Sequence, residues 1–200
     1  MLNIQLSSYQ IIFITIGLIG VLLFASPTIA FFIKPPAAQE FSEIYVLGPN
    51  HTFENLPFNI KTGVTYLTYL GVGNNLGQSA YYTCYVKLGN GIDPLPDTKL
   101  QSSSGLPALY EYRLFVKNGE TWQAPFTLEF NKIDFENNSC RLSSISINGV
   151  DVPVNKTSAW DSNKQGFYYN LIVELWLFNS TLGSLQFNNR FVSLPLNMTK

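Results

Sequence analysis

The sequence predicts a mainly β protein: an N-terminal transmembrane helix followed by an antiparallel, two-sheet, Ig-like β-sandwich. Three observations carry this. No Asp, Glu, Lys or Arg precedes Lys34, so all 12 cations and 13 anions of the 200-residue chain lie from that residue onward. After Phe41 the apolar residues recur at alternate positions, the period of a half-buried strand. Asn148-Gly149 stands between two such runs and supplies the residues that a tight type I′ hairpin turn requires.

Residues 11–33 read IIFITIGLIGVLLFASPTIAFFI, with only Thr15, Ser26 and Thr28 as polar interruptions. At about 1.5 Å of rise per residue such a helix spans a hydrocarbon layer of roughly 30 Å. A helix apolar all round has no water-facing side, so lipid is its natural solvent. Tyr9 and Phe31-Phe32 suit the two interfaces. Two rivals compete with an uncleaved anchor over residues 1–33. In a signal peptide, Thr28-Ile29-Ala30 would be the cleavage site. A pilin-like subunit would carry a Lys/Arg-Gly processing site where Ser7-Ser8-Tyr9-Gln10 stands here. Residues 34–40 form a proline-stiffened spacer, and residues 41–200 the body.

In the body, Tyr110, Tyr112, Leu114 and Val116 alternate with Glu111, Arg113 and Phe115. Phe126, Leu128 and Phe130 alternate with Thr127 and Glu129, and Leu171, Val173, Leu175 and Leu177 with Ile172, Glu174 and Trp176. Further strands are expected over 42–47, 64–72, 79–88, 140–147, 150–154 and 190–197. Residues 91–105, rich in Pro and Ser, are expected to be a loop and the least ordered part.

Which side of a membrane the body occupies is read from its chemistry. Five N-x-S/T triplets begin at Asn50, Asn137, Asn155, Asn179 and Asn197, each an acceptor for an N-linked glycan. The two cysteines, Cys84 and Cys140, fall on inward faces beside Tyr82 and Val86 and beside Leu142. In an oxidising compartment they would close a loop of about 56 residues, worth roughly 4 kcal/mol in the chain-entropy model. Two separate buried thiols are the alternative. Sequons and anchor together favour the exterior.

At residues 40–50, EFSEIYVLGPN, and then at LPFNIKTG and YLGVGNN, the chain resembles the extracytoplasmic domain of an archaeal membrane-protein family. That family is catalogued as a domain of unknown function, number sixteen-sixteen. Its members are similar in a membrane helix, a proline-containing spacer and three short phrases. The matching positions here are Phe41, Glu43, Tyr45, Leu47, Gly48 and Pro49, then Pro57, Asn59 and Gly63, then Gly71, Val72 and Asn74. The chain departs from commoner members in having one span rather than several, and Asn74-Asn75 where a His-Glu pair often stands. The resemblance implies an archaeal source, membrane anchoring and an Ig-like sandwich; it implies no activity.

The residues offer little catalytic material. Scattered charge excludes a basic nucleic-acid surface. His51, the single histidine, reads as an exposed turn residue. No G-x-S-x-G elbow, zinc spacing or third Gly after Gly71-Val72-Gly73 is present. Glu111, Glu129 and Glu174 are expected to face solvent or cross-strand cations, and Glu43 to pair with Arg190. No catalytic residue, metal or cofactor is expected. Tyr81, Tyr85, Trp176 and Phe178 lie on outward strand faces, where polar residues belong, and so suggest an interaction surface.

The expectation is therefore a non-enzymatic, glycosylated, single-pass cell-surface protein, anchored in the bilayer by residues 11–33. Its body, outside the cell membrane, binds a protein or glycan partner of the envelope and no nucleic acid. The alternative is an accessory subunit of a larger membrane complex, packing through residues 17–20. A surface hydrolase using carboxylates comes third.

Overall fold

The computed structural model describes residues 8–32 and 40–200, with side chains from 9 to 24 and from 40 onward. Met1–Gln39 and Glu40–Lys200 are separate compact units. Of the expected spacer over residues 34–40, residues 34–39 lie outside the described residues.

In the first unit one helix, α1, runs Ser8–Phe32 with no charged residue in its end turns. Thr15 donates its hydroxyl to the Ile11 carbonyl at 2.8 Å, which satisfies a polar group within an apolar surface. The stretch with described side chains, 9–24, is about 24 Å long at ~1.5 Å per residue. Among the described residues no helix is long and apolar enough to cross a membrane.

The second unit is mainly β. Its strands are β1 (Phe41–Leu47), β2 (Asn59–Ile60), β3 (Thr65–Asn75), β4 (Ala80–Asn90), β5 (Tyr110–Val116), β6 (Thr121–Glu136), β7 (Ser139–Ile147), β8 (Val150–Ala159), β9 (Phe167–Asn179) and β10 (Ser184–Met198). They form two five-stranded sheets, ordered β1-β3-β6-β7-β8 and β2-β10-β9-β4-β5. Pairing is antiparallel except between β2 and β10. The chain changes sheet at each of its first three connections; the first sheet is complete at β8, and the second only when β10 returns beside β2.

Inward residues of both sheets share one core. Leu70, Val72, Phe126, Leu128, Phe130, Leu142 and Ile145 come from the first sheet, and Tyr82, Val86, Tyr169, Leu171, Val173 and Leu175 from the second. The alternation predicted for β5 and for the centre of β6 holds; in β9 Leu171, Val173 and Leu175 face the core as predicted, but Ile172 and Glu174 on the other face are buried too. At the β7–β8 turn Asn148 has φ 50° and Gly149 φ 78°, the left-handed pair that a type I′ turn needs.

Strands β6, β8, β9 and β10 run longer than their periodicity suggested. In β6 the pairing with β7 slips between Phe130 and Ile133. One extra residue there turns the following side chains to the other face, so a strict period-two pattern stops while the strand continues. Between Phe187 and Arg190 in β10 two residues are inserted against β9, which interrupts the pairing but leaves odd positions outward on both sides. Two-residue β2 has no period to detect.

The Leu47-Gly48-Pro49 step ends β1 in a tight corner. Gly48 donates its N–H to the Thr52 carbonyl at 2.7 Å and accepts the His51 N–H at 3.0 Å. A Cβ on Gly48 would collide with the Glu54 carbonyl.

Candidate functional site

The outer face of the second sheet gathers the aromatic residues singled out in the sequence. Tyr81 stands opposite Phe115 on β5, and its ring meets Phe178 edge-on at 6.4 Å. Tyr85 meets Trp176 at 5.5 Å, and Trp176 meets Phe187 at 6.0 Å. Phe115, Tyr81 and Phe178 are 66%, 37% and 43% exposed, where a solvated sheet face is ordinarily polar. Tyr85 and Trp176 are half-buried.

The same face holds a buried charge pair. Glu174 was expected to face solvent or a cross-strand cation; it points away from the inter-sheet core and meets Lys87 of neighbouring β4, but it is 0% exposed, because residues 91–109 fold over it. Its Oε1 accepts the N–H of Ser104 at 2.8 Å and the Ser104 hydroxyl at 2.6 Å. Its Oε2 accepts Lys87 Nζ at 2.8 Å and Trp176 Nε1 at 3.0 Å. Lys87 also donates to the Ser104 carbonyl at 3.0 Å. The loop expected to be least ordered is thus pinned at Ser104 to the centre of the sheet. Every acceptor direction of the carboxylate is occupied by the chain, so Glu174 secures the loop and meets no substrate. No alternation in 91–105 could announce this, since Ser104 acts through its backbone as well as its hydroxyl.

The family-like residues meet on the first sheet. Tyr45, Gly71 and Gln123 align across β1, β3 and β6. The Tyr45 ring lies over Gly71, in space that any Cβ would fill. Burial, and after it the Glu43 carboxylate, push the Tyr45 hydroxyl above its ordinary pKa. His51 is exposed, as a turn residue should be, but its ring stacks on Tyr69 at 3.8 Å and shares a 2.7 Å hydrogen bond with Gln123. Glu43 sits beside Gly73 rather than pairing with Arg190, whose Nη1 donates to the Asn189 carbonyl at 3.3 Å. Glu111 pairs with Arg113 at 2.7 Å, and Glu129 accepts the Thr65 hydroxyl at 2.7 Å. Among the described residues no three His, Cys, Asp or Glu side chains gather as metal ligands.

Cys84 and Cys140 are both buried and free, so the expected bridge is not formed. Register explains it. Tyr169 donates its hydroxyl to the Cys140 carbonyl at 2.6 Å, which places Cys140 near the Asn90 end of β4, opposite Tyr169. Cys84 lies six residues away along that strand, about 20 Å at ~3.3 Å per residue. One tyrosine side chain cannot close that gap to the roughly 7 Å a disulfide allows. Facing the core, which the sequence did reveal, does not fix position along it.

Burial pushes the Cys84 thiol up to about 12 and the Cys140 thiol up to about 11. Burial likewise raises the Tyr112 hydroxyl to about 12. Each group keeps its proton in the folded state above the pH at which the unfolded chain releases it, near 9.0 for Cys and 10.0 for Tyr. Their contribution to stability is whole below pH 9 and is lost as pH rises from there towards 12. Urea midpoints at pH 8, 9.5 and 10.5 are expected to fall in order, with iodoacetamide labelling neither thiol until the protein unfolds. Rapid labelling of the native protein at pH 8 would contradict this.

At one end of the β unit a cleft of about 570 Å³ is lined by Phe135, Asn137, Trp160, Phe167, Asn197 and Lys200, among others. A second, of about 450 Å³, adjoins it through Ser139 and Trp160. Two sequon asparagines, Asn137 and Asn197, thus meet at one cleft. Asn50, Asn137 and Asn155 are exposed, and Asn179 and Asn197 half-buried. Asn179 Oδ1 accepts the N–H groups of Thr181 and Leu182. Asn197 Nδ2 donates to Asn59 Oδ1 at 3.1 Å, while its Oδ1 is buried against Gly166.

Residues 35–149 match the family model described as a domain of unknown function (DUF1616). No curated protein matches the chain. Similar solved structures include a β-glucosidase from Listeria innocua in complex with isofagomine, at TM-score 0.39, and in complex with glucose, at 0.38. Each is 8% identical and covers 80% of this chain and 16% of that chain. The chain therefore spans about a sixth of those enzymes, and likeness at this level says nothing of activity.

Proposed function

The chain belongs to the family of the domain of unknown function DUF1616, and on that premise we propose a non-catalytic, membrane-anchored binding protein of the cell surface. Residues 11–33 anchor it as a single span. The two sheets form an Ig-like sandwich on the extracellular side, and the sequons carry N-linked glycans. The family match begins after the helix and ends at Gly149, so the anchor rests on the charge-free, lipid-length segment itself. The exterior placement rests on anchor and sequons and needs no disulfide.

The observation that carries a binding role is the exposed aromatic row Phe115, Tyr81 and Phe178. Large aromatics on an outer sheet face are the usual anchors of a partner surface. Glu174, whose burial and four hydrogen bonds leave it no open acceptor, does not serve as the carboxylate of a surface hydrolase.

The test is a Tyr81→Ser/Phe178→Ser variant of the full chain, extracted in mild detergent and sized natively. Loss of a partner from the complex, with unchanged thermal unfolding, is expected. Unchanged association would remove the surface from the reading. Stoichiometric assembly through the helix alone would favour the accessory-subunit alternative.

A further inference from the structure

We propose that Asn137 carries an N-linked glycan whose first sugar lies in the 570 Å³ cleft, stacked on Trp160 and Phe135. This rests on the extracellular reading above. Asn137 is exposed at the tip of the β6–β7 turn, with φ 40°. Its side chain makes no hydrogen bond among the described residues, so Nδ2 is free.

The cleft is already built around the turn. Phe135 precedes the asparagine by two residues, and Ser139, which completes the sequon, lines the same cleft. Trp160 is tied to the turn by its own backbone, whose N–H donates to the Asn138 carbonyl at 2.9 Å. Its ring packs edge-on against Phe167 at 5.1 Å, and Phe167 lies 5.6 Å from Phe135. Trp160 is therefore held in place and still 44% exposed. A pyranose offers a flat C–H face to such rings and hydroxyls at its rim. Asn138, Gln165 and Lys200 line the cleft with the amide and ammonium donors those hydroxyls accept from. The volume falls within the range of small-ligand sites.

Asn197 lines the same cleft but is unsuited to carry the sugar. Its Nδ2 is committed to Asn59, and its Oδ1 is wedged against Gly166. The inference thus divides two sequons that the sequence could not rank.

Attachment joins Asn137 Nδ2 to the anomeric carbon of a lipid-phosphate-linked sugar. The sugar's C–O bond to phosphate breaks, the phosphate leaves as the anion, and the amide proton passes to a base of the transferase.

The test uses the full chain purified from its own membranes: wild type, Asn137→Asp, which keeps a residue tolerant of this turn, and Ser139→Ala, which keeps the asparagine. Glycopeptide mass spectrometry reads occupancy, and brief hydroxyl-radical oxidation reads Trp160 against Trp122. Expected are an occupied Asn137, an unmodified Asn197, and Trp160 oxidised several-fold faster in both variants, with Trp122 unchanged. Occupancy without protection of Trp160 would overturn the seat. A bare Asn137 beside other modified sequons would overturn the proposal and leave the glycoprotein reading standing. With every sequon bare, both fall.

Discussion

Glu174→Ala is expected to destabilise the protein by about 3–5 kcal/mol, the usual cost of stranding one partner of a buried ion pair. Lys87 is 7% exposed and Glu174 0%, so neither charge reaches water to be screened. Removing the carboxylate leaves Lys87 charged under the loop, frees Trp176 Nε1, and unties Ser104 at both its N–H and its hydroxyl. Glu174→Gln keeps the shape but still strands the ammonium, and belongs near the same figure. The double variant Lys87→Met/Glu174→Leu removes both charges and is expected to be milder than either single change. Urea unfolding of the full chain measures all of these. A loss below about 1 kcal/mol for Glu174→Ala would mean that water reaches the pair. Proteolysis within residues 91–109 is expected to accelerate in the single variants, since the loop loses its tether.

Asn74→Ala is expected to cost about 3 kcal/mol or more, from roughly 1–3 kcal/mol for each buried group left unpaired. Asn74 is fully buried and works in both directions. Its Nδ2 donates to the carbonyls of Gln78 and Val116, each at 2.8 Å. Its Oδ1 accepts the Leu76 N–H at 3.1 Å and the Tyr82 hydroxyl at 3.2 Å. One amide thereby joins the end of β3 to the β3–β4 turn, to β4 and to β5, across both sheets. Asn74→Asp tests the assignment sharply. It keeps the two acceptor contacts but sets an anionic oxygen against two carbonyls, so it should be as damaging as alanine. If Asn74→Asp proved neutral, the donor half of this account would be wrong. Thermal unfolding of the three proteins reads the result.

The position of Asn74 in the family-like phrase now has a physical content, as has that of Gly48. Gly71 likewise leaves the space that the Tyr45 ring fills. These residues explain how the first half of the fold holds its corners. The family match ends at Gly149, before the strands that bring Trp160, Glu174 and Phe178.

Much of the architecture was legible in the chain because its signals are local. The charge-free N-terminal segment, the alternation in β5 and β9 and the Asn148-Gly149 turn each depend on neighbours a few residues apart. The four aromatic residues also declared their outward face through period-two spacing alone. What spacing cannot give is the third dimension above a strand face or the position along it. Glu174 has the same outward register as Tyr85, yet one is sealed by a loop arriving from 70 residues away and the other is half-open. Cys84 and Cys140 both read as inward, and both are, but pairing across sheets places them apart along the strands. A bulge in β6 flipped the period and hid how far that strand runs, and a two-residue insertion interrupted β10.

The sequence by itself determined a mainly β body, a charge-free helix, the inward and outward faces and the sharp corners, since each follows from backbone sterics and short-range periodicity. Only the tertiary structure decided which outward residues meet water, which thiols could meet, and which asparagine overlooks a cleft. Those outcomes depend on segments distant in sequence closing over one another, and no local pattern encodes that distance.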